Sequence, residues 1–279
     1  MPEKNYFMES DAETLRLEVK TDPVLVLQQA RWAGLHPGMR VVDVGCGPGK
    51  TTATLFEAAS PGGEAVGLDV FEERLAFARD HYAQPGITFV RGNVLEELRE
   101  LGQFDFVWCR FLFEYYREQA DSLFRGIDRL VRPGGILCLV DLDYNCMNYD
   151  GLPPRLDQTV REILYGLEVA TGFDPFAGRR LYGRLFDHGY AEIDVQVSAY
   201  NLLFGMAEES VMQNWRQKLT MAIARCGAPL ARYPGGEPEF FDEFERCFNH
   251  PRRFSYTPII ACRGRKPVGE ANHAGRSSR

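Results

Sequence analysis

Apolar, strand-like segments alternate with helix-like segments through the first half of this 279-residue chain, which limits the folds open to it. Residues 40–45 (RVVDVG) and 64–70 (EAVGLDV) are predicted strands, and Val41, Val42 and Val44 show no strict alternation, which indicates a strand buried on both faces. Residues 51–60 and 72–83 have helical character and are followed by Pro-Gly turns. This order predicts an α/β fold with a doubly wound, mostly parallel sheet, whose ligand lies beyond the carboxyl ends of the strands.

Further segments complete a predicted sheet of seven strands. One of them, 192–204, alternates apolar residues at Ile193, Val195 and Val197, as strands do. The other four segments are 87–94, 104–111, 136–143 and 255–265.

Helical segments rich in aromatic residues occupy much of the second half. They fall at 144–190 and 205–254, and their aromatic content suits the walls of an apolar pocket. We therefore predict a single domain over residues 1–265 with helical lid insertions at these two places. The polar residues 266–279 are predicted to be a disordered tail.

Composition argues against several classes of protein. Basic proteins bind nucleic acids largely because they release counterions from the phosphates. A chain with a net charge of −7 lacks this contribution, so no nucleic-acid partner is expected. Apolar runs are shorter than the ~20 residues that span a bilayer, so no membrane partner is expected. Seven cysteines without a C-x-x-C pair indicate reduced thiols in a cytoplasmic protein, and their spacing predicts no metal site. Both a monomer and a homodimer remain open.

The glycine-rich string VVDVGCGPGKTT, residues 41–52, allows more than one kind of site. A phosphate-binding loop requires a glycine at position 44, which is valine, and Pro48 removes an N–H group from the loop. A dinucleotide-binding loop requires a third glycine at position 50, which is lysine. Asp69 nevertheless follows at the tip of the second strand, where such a site needs an acid. An NAD-dependent oxidoreductase therefore stays an alternative.

The string DVGCGPG, residues 43–49, resembles the first motif of the class I S-adenosylmethionine-dependent methyltransferases. Segments similar to later motifs of the family follow in order, namely AVGLDV, VRGNV, FDFVWCRFLFEYY and LVRPGGILCLVD. The resemblance to bacterial small-molecule members implies a Rossmann-like fold, S-adenosylmethionine as cofactor and S-adenosylhomocysteine as product. The cofactor contacts that it implies are Tyr6, Gly45, Cys46, Gly47, Asp69, Val70, Asn93, Val94 and Arg110.

Several of these residues have a particular implied role. Asp69 would accept both ribose hydroxyls, while Arg110 would face the methionyl carboxylate. Asn93 stands where the family usually has an acid that binds the adenine amino group, and an amide oxygen can accept the same hydrogen bond. Asp43 either binds the cofactor ammonium or caps loop amides, and the sequence leaves both open.

The expected reaction is transfer of the methyl group, by in-line displacement, to an O or N atom of a small apolar or aromatic metabolite. Asp141, Tyr144 and Tyr115 follow the fifth and fourth strands, and they are the candidates to position or deprotonate that acceptor. A non-catalytic interaction protein that binds S-adenosylmethionine is a second alternative.

Overall fold

Strands and helices alternate along most of the chain in the computed structural model, which describes residues 11–144, 148–227 and 230–269. The strands are β1 (Arg40–Val44), β2 (Glu64–Asp69), β3 (Ile87–Arg91), β4 (Phe104–Arg110), β5 (Val131–Leu142), β6 (Ala191–Phe204) and β7 (Phe254–Arg265). The helices are α1 (Asp11–Lys20), α2 (Pro23–Ala33), α3 (Lys50–Ala59), α4 (Glu72–Tyr82), α5 (Ala120–Leu130), α6 (Pro154–Thr171), α7 (Ala177–Asp187), α8 (Glu209–Cys226) and α9 (Glu237–Phe248). A short 3-10 helix, Phe113–Tyr115, follows β4.

The strands form one sheet in the order β3-β2-β1-β4-β5-β7-β6. Strands β1 to β5 are parallel, and β7 runs antiparallel to both β5 and β6. The predicted seven-stranded, mostly parallel α/β sheet is confirmed. Because the strand order reverses between β1 and β4, a crevice opens at their carboxyl ends, where ligands bind in sheets of this kind.

Strand β1 shows why the apolar segments of the first half lack alternation. Val41 packs with helices α2 and α3 on one face of the sheet, whereas Val42 and Val44 pack with α5 and α7 on the other. All three side chains are buried, so both faces of the strand require apolar residues.

Strand β6 is present as predicted, but a bulge changes which of its residues face the core. The register shifts between Ala191 and Asp194, where Glu192 has a positive φ of 50°. Ile193 packs against the core, while Val195 and Val197 are 42% and 63% exposed. Strand β6 lies at the edge of the sheet, where bulges are common.

Helices α6, α8 and α9 pack on one another and form the lid. Their shared core is aromatic, with Trp215, Phe240, Phe244 and Phe248 all buried. No helix among the described residues combines the length and the apolar character needed to cross a membrane.

Helix α7 does not belong to the lid, although the predicted insertion 144–190 contained it. Leu181 and Leu185 are fully buried in the core cluster that covers the sheet beside β5 and β7. Gly178 makes this contact possible, because a Cβ there would lie 2.9 Å from the carbonyl oxygen of Asp141. The helix therefore covers a face of the sheet between β5 and β6.

The predicted tail begins too early. The Lys266 amide donates to the Gly135 carbonyl at 2.8 Å, and its ammonium lies 2.9 Å from the Asp128 carboxylate. These bonds fix Lys266 to the fold. Residues 270–279 of the predicted tail lie outside the described part of the chain.

Candidate active site

A cavity of about 270 Å³ lies at the carboxyl ends of β1, β2 and β4, beneath the lid. We call its two sides the sheet half and the lid half. The sheet half is lined by residues 43–48, 68–71, 92–94, 110–112 and 114–116. The lid half is lined by Tyr149, Val160, Ile163, Leu164, Leu167, Phe173, Trp215, Lys218, Leu219, Ala222 and Phe244.

The glycine loop after β1 turns tightly into α3. Gly45 and Gly47 have positive φ angles of 77° and 53°, which glycine adopts without steric cost. The amides of Gly45 and Cys46 donate to the Leu68 carbonyl at 2.8 and 3.1 Å. The amide of Gly47 donates to Asp69 Oδ2 at 2.8 Å.

These hydrogen bonds determine which ligand the loop can hold. The Gly49 amide donates to the Cys46 carbonyl at 3.1 Å, and Pro48 has no N–H group. The N–H groups of residues 45–49 are therefore all used within the protein or absent. A phosphate-binding loop presents such groups to its ligand, so this loop is not built as a phosphate cradle.

Asp69 stands at the tip of β2 with 6% of its surface exposed. Its Oδ2 accepts the bond from Gly47, and its Oδ1 accepts one from the Phe71 amide at 3.0 Å. A carboxylate has about four acceptor positions, so each oxygen keeps one for a ligand in the cavity.

Arg110 ends β4 and lines the cavity with an incompletely paired guanidinium. Its Nε and Nη2 atoms are buried without a hydrogen-bond partner among the described residues, and the group stacks 4.1 Å from the centroid of the Phe111 ring. Burial lowers the pKa of Arg110. Buried donors normally have partners, and two adjacent N–H groups suit a carboxylate from a ligand.

Asp43 is buried at the end of β1 and accepts a hydrogen bond from Thr52 Oγ1 at 2.8 Å. Burial raises the pKa of Asp43 from 3.8 to about 7, and the nearby Asp69 charge adds to this rise. Its bond to Thr52 ties β1 to α3. The sequence left the role of Asp43 open, and the structure adds this side-chain partner to the two roles considered.

The remaining implied cofactor contacts lie together, with one exception. Cys46, Val70, Asn93 and Val94 line the cavity. Asn93 Oδ1 already accepts from the Leu95 amide at 3.0 Å, which leaves one acceptor position on that oxygen. Burial raises the pKa of the Cys46 thiol well above its usual value, so it stays protonated. Tyr6 lies outside the described residues.

Of the three candidates for work on an acceptor, only Tyr115 lines the cavity. Tyr144 packs against Phe176, and its hydroxyl accepts a hydrogen bond from Arg161 at 3.0 Å. Asp141 is fully buried and accepts bonds from the amides of Leu142 and Glu114. Neither Asp141 nor Tyr144 is among the described residues of the cavity wall.

Glu114, the neighbour of Tyr115, lines the cavity, whereas Asp141 and Tyr144 do not. It is 4% exposed, and its amide donates to Asp141 Oδ2 at 3.2 Å. Burial and the Glu114 charge raise the pKa of Asp141 well above its usual value. The sequence signal for Glu114 was an acid inside the aromatic string FLFEYY. Among the described residues, no group of three His, Cys, Asp or Glu side chains is arranged to hold a metal ion.

Comparison with known proteins agrees with this geometry. Residues 41–135 match the family model described as "Methyltransferase domain". The ubiquinone biosynthesis O-methyltransferase of Methylococcus capsulatus is 32% identical over 115 residues, which are 40% of this chain and 47% of that protein. The chain therefore spans about half the length of the curated relatives it matches.

Solved structures share the fold at low sequence identity. The phosphoethanolamine N-methyltransferase 2 of Haemonchus contortus, in complex with S-adenosyl-L-methionine, has a TM-score of 0.51 at 16% identity and covers 88% of this chain and 52% of its own. The [4+2]-cyclase SpnF has a TM-score of 0.52 at 19% identity and covers 88% of this chain and 82% of its own. The fold alone therefore does not specify the reaction.

The domain match begins at β1 and contains the glycine loop, Asp69 and Arg110. It favours neither the oxidoreductase nor the non-catalytic alternative. Residues 41–135 of the chain match a methyltransferase domain, in agreement with the resemblance of its motifs to the class I S-adenosylmethionine-dependent methyltransferases.

Proposed function

We propose that this protein transfers a methyl group from S-adenosylmethionine to an O or N atom of a small, apolar or aromatic metabolite. One observation carries the proposal. The loop amides are used within the protein, while Asp69 and Arg110 keep free hydrogen-bonding capacity at the cavity. This pattern suits a ligand with ribose hydroxyls and a carboxylate but no phosphate.

The residues of the sheet half fit the parts of S-adenosylmethionine. Asp69 would accept the ribose hydroxyls, and Arg110 would pair with the methionyl carboxylate. Val70 and Val94 would pack on the adenine. Asn93 would accept a hydrogen bond from the adenine amino group. When bound, S-adenosylmethionine supplies an electrophilic methyl group with a neutral sulfide, S-adenosylhomocysteine, as leaving group.

The lid half supports the assignment of an apolar acceptor. Aliphatic and aromatic side chains from α6, α8 and α9 form most of its lining. Enclosure by these helices would exclude water and orient the acceptor, and orientation alone contributes ~7–11 kcal/mol in well-aligned reactions.

Glu114 would act where the acceptor arrives as a hydroxyl. It lies in the 3-10 helix after β4, and Asp141 holds its backbone amide. The Glu114 carboxylate would take the hydroxyl proton as the oxygen attacks, while Tyr115 would contact the acceptor beside it. Asp141 would then be a positioning residue.

The cysteines support a reducing compartment, and we propose the cytoplasm. Six of the seven cysteines lie in the described residues, and all six are free thiols.

A turnover assay tests the proposed reaction. Purified protein and S-adenosylmethionine are incubated with phenols, catechols, aromatic amines, small polar amines, RNA and DNA, and S-adenosylhomocysteine is quantified. Turnover is expected with the aromatic acceptors and is expected to fall at least a hundredfold in Asp69→Ala, which removes the ribose acceptor. Turnover confined to polar amines or nucleic acid, or none above the Asp69→Ala background, would contradict the proposal.

A further inference from the structure

The lid half of the cavity contains a single charged side chain among the described residues that line it, Lys218 on α8. Trp215, Leu219 and Ala222 of the same helix line the cavity beside it. The Lys218 ammonium lies 4.8 Å from the centroid of the Trp215 ring.

Lys218 differs from Arg155 and Arg232 of the lid in having no acidic partner among the described residues. Arg155 pairs with Glu239 and Glu243, and Arg232 pairs with Glu162. The hydrogen bonds and ion pairs of the described residues include none from the Lys218 ammonium, although its side chain is half-buried. The lid therefore places at an apolar wall a positive charge that no described residue neutralises.

This charge selects the kind of molecule that the lid half can take. Burial of an anion among apolar side chains is costly unless a cation faces it, and Lys218 supplies that cation. A cationic ligand finds no carboxylate among the described lining of the lid half, and Lys218 would repel it. A neutral apolar ligand gains from the aromatic wall but leaves the ammonium unpaired.

We propose that the lid half binds an amphipathic acid, with a flat apolar body against Trp215 and Leu219 and one anionic group paired with Lys218. This inference rests on the proposed function only in naming that acid as the methyl acceptor. The anion site itself requires no methyl transfer.

Two fluorescent probes with the same ring system test the anion site directly. Anilinonaphthalene sulfonate carries a negative charge, and phenylnaphthylamine is its neutral counterpart. Each probe is titrated into the full-length protein, into Lys218→Met and into Lys218→Arg. Arg225→Met is the matched control, because Arg225 is exposed on the same helix and lies outside the cavity wall.

The sulfonate is expected to bind wild type at least tenfold more tightly than the neutral amine. Lys218→Met is expected to weaken the sulfonate about tenfold and leave the amine unchanged, while Lys218→Arg retains sulfonate binding and Arg225→Met changes neither probe. Equal weakening of both probes, no weakening of either, or no binding of either to wild type would overturn the proposal.

A further variant and a separate titration complete the test. Ala222→Phe fills the lid half, so both probes are expected to be lost, and a sulfonate that still binds this variant lies elsewhere and overturns the assignment. S-adenosylhomocysteine is titrated against wild type and the Lys218 variants in parallel. If S-adenosylhomocysteine does not bind wild type while the sulfonate does, the proposed function is refuted and the anion site is still supported.

Discussion

Arg110 offers the sharpest test of how the cavity holds its cofactor. Two of its nitrogen atoms are buried without a hydrogen-bond partner among the described residues, and a buried polar group left unpaired costs about 1–3 kcal/mol. A carboxylate arriving in the cavity would pair with them. Replacing Arg110 should therefore affect binding and stability in different ways.

Arg110→Met is expected to weaken S-adenosylhomocysteine by about 3 kcal/mol, or roughly a hundredfold in Kd, as removal of one partner of a buried charge pair does. Its unfolding free energy should stay within about 1 kcal/mol of wild type. Removing the unpaired donors is favourable, and losing the stacking on Phe111, about 0.5–1 kcal/mol, offsets part of this gain.

Calorimetric titration with two ligands separates this role from a structural one. Methylthioadenosine retains the adenosine and lacks the methionyl carboxylate, so Arg110→Met should bind it as wild type does. Arg132→Met is the control, because Arg132 lies at the opposite end of the sheet in an exposed ion pair with Asp105. Equal loss of both ligands in Arg110→Met would mean that Arg110 shapes the site, and unchanged affinity for both would refute the carboxylate contact.

Three other substitutions have distinct expected outcomes. Asp69→Asn should weaken S-adenosylhomocysteine and methylthioadenosine alike, by about 2–3 kcal/mol, because both contain the ribose; calorimetry showing loss of only one would contradict the ribose role. The pKa of Asp43 is raised from 3.8 to about 7 in the folded protein, so the unfolding free energy should fall as pH rises between these values, by up to about 4 kcal/mol. The unfolding free energy of Asp43→Asn, measured by urea denaturation, should not fall with pH in this way. If it depends on pH as strongly in the variant as in wild type, Asp43 is not the source of the fall. Glu114→Gln should lower kcat for a hydroxyl acceptor by ~10²–10⁴ with unchanged S-adenosylhomocysteine affinity, whereas Tyr144→Phe should change kcat less than twofold. A Tyr144→Phe loss as large as that of Glu114→Gln would place Tyr144 at the reaction.

The sequence predicted the sheet, and most of the cofactor contacts it implied lie together at the cavity, because local patterns determine both positions. Apolar strands ending at glycine, aspartate or arginine bring Gly45, Asp69 and Arg110 to one edge once the strands are parallel. The hydrogen bonds of the loop amides could not be foreseen, because they depend on how closely β2 approaches. Those bonds are what distinguish this loop from a phosphate cradle.

The lid was harder to predict because amphipathic spacing identifies a helix but not the surface it covers. Leu181 and Leu185 of α7 have the same spacing as the lid helices, yet they pack on the sheet. The bulge at Glu192 reverses the exposure expected of Val195 and Val197. Lys218 lies three residues after Trp215 and therefore on the same helix face, but the spacing does not show that this face lines the cavity.

Calorimetric titration of the full-length protein with S-adenosylmethionine and with NAD, repeated on Asp69→Ala, is the most direct test of the central claim. The two ligands share an adenosine and differ in the phosphates, for which the loop after β1 offers no free amides. Micromolar binding of S-adenosylmethionine that Asp69→Ala abolishes, with no heat from NAD, is the expected result. Binding of NAD with comparable affinity, or no binding of S-adenosylmethionine, would contradict the assignment of this cavity as a methyltransferase cofactor site.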